Sequence, residues 1–427
     1  MDLIYDCCAG LDVHKRTVMV CVNRYDRGAG KVRKEVREFG TMTEDILALG
    51  DWLREQGVRH LAMESTGVYW KPIYNLLEDA FEVLLVNAQH IKKVPGRKTD
   101  TKDCEWIAEL LQHGLLRGSF VPPRPMRELR DLTRHRVQAV GDKTRVVNRL
   151  QQVLEDANIK LGSVASDVVG VSGRSMIEAI IAGEEDPEEL AELARRRLRG
   201  KNPQLKHALR GRVTAHHRFL LETLYEQLKS LEATIERLTR RISAVMAQET
   251  RSTEEKESGV LPFDRAATLL TTVPGIGRVA AETILAETGT RMAQFPSAAH
   301  LASWAGISAG NNESAGKRKS GKTPKGNRWL RRILVQVAQA AGRSKNTYLS
   351  AQYRRIAARR GRKRAAVAVA HTILVIVYHM LRTAAPYHDL GPNFFDQLDP
   401  QRLTRYLVKR LEALGNKVTV EPLEPAA

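Results

Sequence analysis

Four carboxylates stand in short, organised contexts in the first quarter of the chain: Asp12 in GLDVHK, Glu64 in AMESTG, and Asp100 and Asp103 in KTDTKD. The chain carries a formal net charge of +19, and a protein built to meet a polyanion keeps acids mainly where they hold something cationic. Oxygen donors suit magnesium, with manganese as a substitute. The chemistry such a set supports is phosphodiester cleavage. Two divalent ions about 3.5 to 4 Å apart, shared between carboxylates, neutralise the phosphate and stabilise both the attacking and the leaving oxygen. Asp100 and Asp103 open a helical run through Trp106, Ile107, Leu110 and Leu111, and their spacing of three puts both on one helix face. Acids at a helix start are also favourable as caps with no metal at all, so the specificity lies in the set of four. Lys98 and Lys102, interleaved with the aspartates, either touch flanking phosphates or are simply solvated.

The elements that must position these acids are legible around them. Residues 7–23 and 31–39 are β-prone, 43–56 has helical apolar spacing, 58–63 reads as a buried strand, 68–79 as a helix and 81–86 as another strand. Strands first, then alternating helix and strand, predict an α/β sheet with Asp12 and Glu64 at or near strand ends, where ligands of such sheets collect. A basic amphipathic helix over 128–155 then leaves this domain. Residues 185–212 are dense in charge and read as a solvated helix. Leu221, Leu224, Leu228, Leu231, Ile235, Leu238, Ile242 and Val245 alternate spacings of three and four, the a/d seam of a coiled coil or helical hairpin. Residues 249–259 have the polarity of a linker, and a short helix is expected near 400–414 in the tail.

A length of 427 residues implies two or three domains. Between Ser314 and His388 there are 18 Lys and Arg and no Asp or Glu. A solvated helix face would interleave acids for i to i+4 pairing, so this stretch points to nucleic acid. Within it, Gly306, Gly310, Gly316, Gly321 and Gly326 allow close backbone approach, and Lys317, Arg318, Lys322, Lys325, Arg328, Arg331 and Arg332 supply cationic donors. Ser314 sits at the mouth of this loop. Upstream, Pro274, Gly275 and Gly277 lie between two helical runs, like the hairpin of a helix-hairpin-helix that offers Gly275 and Gly277 backbone N–H groups to phosphates. The four cysteines show neither disulfide nor zinc spacing, which suits a reducing compartment. The most apolar segment, 365–381, falls short of the roughly 20 residues needed to span a membrane, and no secretion signal opens the chain.

GLDVHK, MESTGVYW and GRKTDTKD with its aliphatic helix resemble the N-terminal domain of the DEDD insertion-sequence transposases. PGIG, the WAG segment, and ESAGK followed by KGNRWLRR resemble that family's second domain. The resemblance implies a RuvC or ribonuclease H-like fold at 1–155, a helical coiled-coil region at 156–258, a mainly α transposase domain at 259–390 and a tail at 391–427. It also implies metal binding by Asp12, Glu64, Asp100 and Asp103, and a Ser314 that becomes linked covalently to DNA. Guidance by a structured non-coding RNA and assembly as a homodimer or homotetramer, in the cytoplasm, complete what it implies. Two other readings stand beside it: a hydrolytic nuclease of the junction-resolvase kind, and a non-catalytic DNA-binding protein whose acids are caps and core pairs.

Overall fold

Period-two alternation along the first forty residues builds a meander of three antiparallel strands, β1 (Cys7–Val13), β2 (Thr17–Asp26) and β3 (Lys31–Gly40). The structure, a computed structural model, describes residues 3–65, 67–87, 103–256, 261–310, 312–314 and 317–421, with only the backbone described at 251–256, 312–314 and 317–320. Helix α1 (Thr43–Glu55) leads to β4 (His60–Glu64), and α2 (Trp70–Leu77) to β5 (Glu82–Val86). β4 pairs parallel with both β1 and β5, giving the order β3-β2-β1-β4-β5. The α/β sheet expected is thus a mixed one.

The two faces of the sheet are sorted by the same alternation. Ala9, Leu11 and Val13 join Val18, Val20, Leu61 and Met63 under Ile46, Leu49, Leu53 and Ile73 of α1 and α2. Cys8 and Ala62 face the other way, against Ile107, Leu110 and Leu111 of α3 (Asp103–Gln112), while Cys21 meets Cys104 and Ala108. This compact unit closes at Pro123, and Arg124–Ala427 forms a second.

The second unit is helical. Its frame is α4 (Arg124–Asp156), followed by α5 (Leu161–Val164), α6 (Val171–Ala182), α7 (Pro187–Glu192), a 3-10 turn (Arg196–Lys201), α8 (Asn202–Ala208) and the 42-residue α9 (Ala215–Lys256). α9 runs back along α4. Leu221 and Leu228 share a core with Val146, Leu150 and Leu154, whereas Ile242 and Val245 at the other end share one with Leu129. The seam therefore packs within the chain as a helical hairpin, with Leu231, Ile235 and Leu238 half-buried between the two cores. Glu232 bridges that middle stretch, taking Lys143 of α4 at 2.7 Å and Arg174 of α6 at 2.5 Å.

Three expectations need correction here. Residues 185–212 are not one solvated helix: Pro187 and Pro203 each start a new helix, Arg196 turns the chain with φ 54°, and Leu190, Leu205 and Leu209 are buried. The polar stretch 249–256 continues α9 rather than opening a linker, since Glu and Lys are good helix formers; 257–260 lie outside the described residues. The apolar helix is 22 residues long, enough to cross a membrane by length and composition, yet its Val369, Ile373, Leu374 and Val377 fill the C-terminal core.

That core gathers α10 (Phe263–Leu270), α11 (Arg278–Thr288), α12 (Ala298–Trp304), α13 (Arg328–Ala341), α14 (Tyr348–Arg360) and α15 (Arg362–Thr383). A two-stranded ribbon, β6 (Asn312–Ser314) with β7 (Lys317–Ser320), precedes α13. The tail carries α16 (Phe394–Gln397) and α17 (Pro400–Glu412), the helix expected there.

Candidate active site

Asp12 and Glu64 come together for a topological reason. β1 and β4 are parallel neighbours with Leu11 opposite Met63, so the register carried one residue further sets Asp12 beside Glu64 at the C-terminal ends of both strands. Parallel neighbours lie about 4.8 Å apart. Alternation puts both acids on the face covered by α3, the face of Cys8, Gly10 and Ala62.

α3 brings Asp103 to the same end. Its last turn is tied to the start of β1, where the Ile4 and Tyr5 N–H groups donate to the Gln112 carbonyl at 2.9 and 3.3 Å. One turn back the Cys8 thiol donates to the Ala108 carbonyl at 3.6 Å. At Gly10 the two backbones nearly touch, since a Cβ built there would lie 2.3 Å from the Ala108 nitrogen and 2.4 Å from the Cys104 carbonyl oxygen. The helix thus runs antiparallel to β1, and its N-terminal residue, Asp103, reaches the strand end that bears Asp12 and Glu64. His14 lies over the same end, its Nε2 3.2 Å from Asp12 Oδ2. Three carboxylates on one face and edge offer the hard oxygen donors a divalent cation prefers. Among the described residues no group of three His, Cys, Asp or Glu side chains is arranged to hold a metal ion. Asp100, Lys98 and Lys102 lie outside the described residues.

In the second unit Ser314 ends β6, opposite Lys317 across the ribbon, with Arg318 facing Glu313. The ribbon's base is cinched by glycines. A Cβ on Gly306 would meet the Gly326 nitrogen at 2.8 Å, one on Gly310 the Lys322 carbonyl oxygen at 2.2 Å, and Arg331 Nη1 donates to the Gly306 carbonyl at 3.1 Å. Asn327 then caps α13, accepting from the Trp329 and Leu330 N–H groups at 3.0 and 3.1 Å. Lys325, Arg328 and Arg332 are exposed around it, as is Lys322.

Behind this ribbon lies a buried polar hub that the sequence reading missed. Glu287 of α11, wholly buried, accepts two guanidinium N–H groups of Arg134 at 2.7 and 2.8 Å and the amide of Asn327 at 2.6 Å. Arg130 donates to the carbonyls of Ala286 and Glu287, and burial brings its pKa down to about 10. One turn earlier Glu282 pairs with buried Arg136 at 2.7 Å and with Arg278 at 3.1 Å. The available signal was two acids amid the apolar run RVAAETILAET, with Arg130, Arg134 and Arg136 four and two apart on α4. The Pro274–Gly277 turn does join two helices, α10 and α11. Gly275, at φ 91°, is pressed on α13, where a Cβ would lie 2.7 Å from the Val337 carbonyl oxygen and the Ala341 nitrogen. That packing alone requires its glycine, whereas Gly277 is exposed with open space around it.

A DEDD transposase model of the IS110 type matches residues 9–159, and a model of the transposase IS116/IS110/IS902 family matches 267–354. The chain belongs to the IS110 transposase family. The first match of this transposase spans Asp12, Glu64, Asp100 and Asp103, and the second spans Ser314 and the ribbon. A "Probable family 20 transposase" of Pseudomonas aeruginosa is 25% identical over 299 residues, covering 69% of this transposase and 74% of that relative. Transposases act on DNA, and the DEDD family implies a general dependence on divalent metal.

Proposed function

We propose that this transposase cuts and rejoins the DNA of an insertion sequence through metal-bound carboxylates and a phosphoserine intermediate. The observation that carries the reading is the convergence of Asp12, Glu64 and Asp103 at one end of a mixed sheet, in a chain of this family. The sheet order, with an antiparallel meander beside two parallel strands, supports the ribonuclease H or RuvC-like assignment. Asp12, Glu64, Asp103 and Asp100 would hold the divalent ions, magnesium foremost. The ions, when bound, neutralise the scissile phosphate and stabilise the attacking and leaving oxygens.

The chain's own residues do the rest. Ser314 Oγ attacks phosphorus, forming the serine ester as the bond to the leaving DNA oxygen breaks; the serine gives up its proton and the departing oxygen gains one. A DNA hydroxyl then attacks the ester, which releases Ser314 and restores a phosphodiester. Lys317, Arg318, Lys322 and the first turn of α13 with Arg328, Arg331 and Arg332 screen the phosphate charge. Ester exchange conserves the bond, which suits rejoining rather than hydrolysis. Guidance by a structured non-coding RNA, and a site assembled from two protomers of a dimer or tetramer in the cytoplasm, are parts of this reading that rest on the family resemblance.

The test is covalent capture. The transposase, RNA transcribed from the segment flanking its reading frame, and labelled junction DNA are incubated with magnesium and resolved on a denaturing gel. An adduct lost in both Ser314→Ala and Asp12→Ala is expected. Cleavage that persists in Ser314→Ala without an adduct would replace this reading with a hydrolytic nuclease.

A further inference from the structure

The charged stretch after α6 acquires a role from what its side chains do not touch. Most of its acids are engaged: Glu185 pairs with Arg218, Glu188 with Lys206 at 3.2 Å, and Glu192 accepts from Asn202 at 2.7 Å, while Glu189 points to solvent away from the cavity lining. Glu184 and Asp186 accept from backbone N–H groups. The cations that follow are not. Arg195, Arg196 and Arg197 are exposed and form no ion pair among the described residues.

These arginines line a cavity of about 560 Å³ whose opposite wall is the α5–α6 connection and the first turn of α6. The wall is fixed at both ends of the arginine run. The Arg195 N–H donates to the buried Ser172 hydroxyl at 2.9 Å, and Lys201 Nζ donates to the Val164 carbonyl at 3.1 Å. A side chain at position 173 is excluded, because a Cβ there would lie 2.0 Å from the Val168 carbonyl oxygen. One carboxylate, Asp167, lies among the lining residues, and one of its oxygens accepts from the Val169 N–H at 3.1 Å. Four cations against one occupied acid, with no aromatic side chain in the lining, suit an anion with many oxygens rather than a base or an apolar group.

We propose that this cavity is a second nucleic-acid site, gripping successive phosphates of a phosphodiester strand through Arg195, Arg196, Arg197 and Lys201. It is independent of the acids and of Ser314, and it is tested without metal and without turnover. DNA and RNA carry the same phosphates, and separate probes distinguish them.

The full-length protein is titrated, in EDTA, with a fluorescent duplex DNA, a duplex RNA and a single-stranded RNA of equal length across a salt series. Each phosphate contact contributes about 0.9 to the slope of log K against log salt on duplex DNA and about 0.7 on single strands. Arg195→Ala/Arg196→Ala/Arg197→Ala should lower the slope by about 2 to 3 on the probe that fills the cavity, with an unchanged melting temperature because these side chains are exposed and unpaired. Arg197→Gln alone, the gentler variant, should remove about 1. A control of equal charge, Arg237→Ala/Arg240→Ala/Arg241→Ala on the exposed face of α9, should leave the slope nearly unchanged. Loss on one probe only names the strand, and equal loss on all three means phosphates are read without regard to sugar. Unchanged slopes in the cavity variants, or an equal fall in the control, overturn the proposal.

Discussion

Glu287 and Arg134 form a two-pronged ion pair in which the carboxylate has no solvent exposure and the guanidinium closes on it at 2.7 and 2.8 Å. The pair joins α4 to α11 behind the serine ribbon. Removing one partner of such a pair leaves the other charge buried and uncompensated, which typically costs about 3 to 5 kcal/mol. Glu287→Ala is therefore expected to lower the urea midpoint sharply, and Glu287→Gln, which keeps one acceptor, to cost less. Equal midpoints for wild type and Glu287→Ala would show that the pair is energetically idle.

Asn327 shares that carboxylate while capping α13. Cap loss alone costs about 1 kcal/mol. A double-mutant cycle of Glu287→Ala with Asn327→Ala should show a coupling of about 0.5 to 3 kcal/mol, as expected for residues in one network. Simple additivity would mean that the cap and the ion pair stand independently.

Gly10 sets how closely α3 can lie on β1. Any Cβ there collides with backbone atoms of Ala108 and Cys104, which no rotamer change relieves. Gly10→Ala should destabilise the N-terminal unit by about 1 to 3 kcal/mol, the usual penalty for overpacking. It should also shift Asp103 away from Asp12, so that cleavage falls by more than the loss of folded protein explains. Activity per folded molecule equal to wild type would separate the helix position from catalysis.

Burial pushes the thiols of Cys8 and Cys21 up to about 12, from an ordinary 9.0. Both should resist alkylation at pH 8 in the native protein and react once it is unfolded, as read by mass spectrometry. The linkage has a definite sign. Folded-state values above unfolded ones mean the unfolded chain releases these protons first, so the contribution to stability is whole below pH 9 and is lost as pH rises from 9 toward 12. A denaturation midpoint that stayed flat across that window would contradict it.

The strands of the N-terminal sheet were legible because alternation states which face each residue takes, and the pairing of Asp12 with Glu64 follows once β1 and β4 are known to be parallel neighbours. Gly10 was not legible, since its requirement comes from a helix that begins some ninety residues later. Glu282 and Glu287 looked like ordinary helix acids, because nothing local distinguishes a solvated carboxylate from one that meets an arginine across a core. The run at 185–212 was misread for the opposite reason: Pro187 and Pro203 were local signals, outweighed by its density of charge. Ser314 was picked out by family motif alone, and the ribbon explains its setting only in part, through the glycines that cinch the base.

The hairpin of α4 and α9 has a mechanical consequence. Thirty-three residues of α4 extend about 50 Å at the usual rise, with a hydrophobic cluster at each end and a slimmer waist between. A bend of a few degrees at the waist, acting over the roughly 25 Å to either end, displaces the tip by about one to two ångströms. Glu232, clamped by Lys143 and Arg174, sits where that bending would concentrate. Arg174 belongs to the first turn of α6, which walls the arginine-lined cavity, so the stiffness of one ion-pair triad governs how firmly that cavity is held to the middle of the beam.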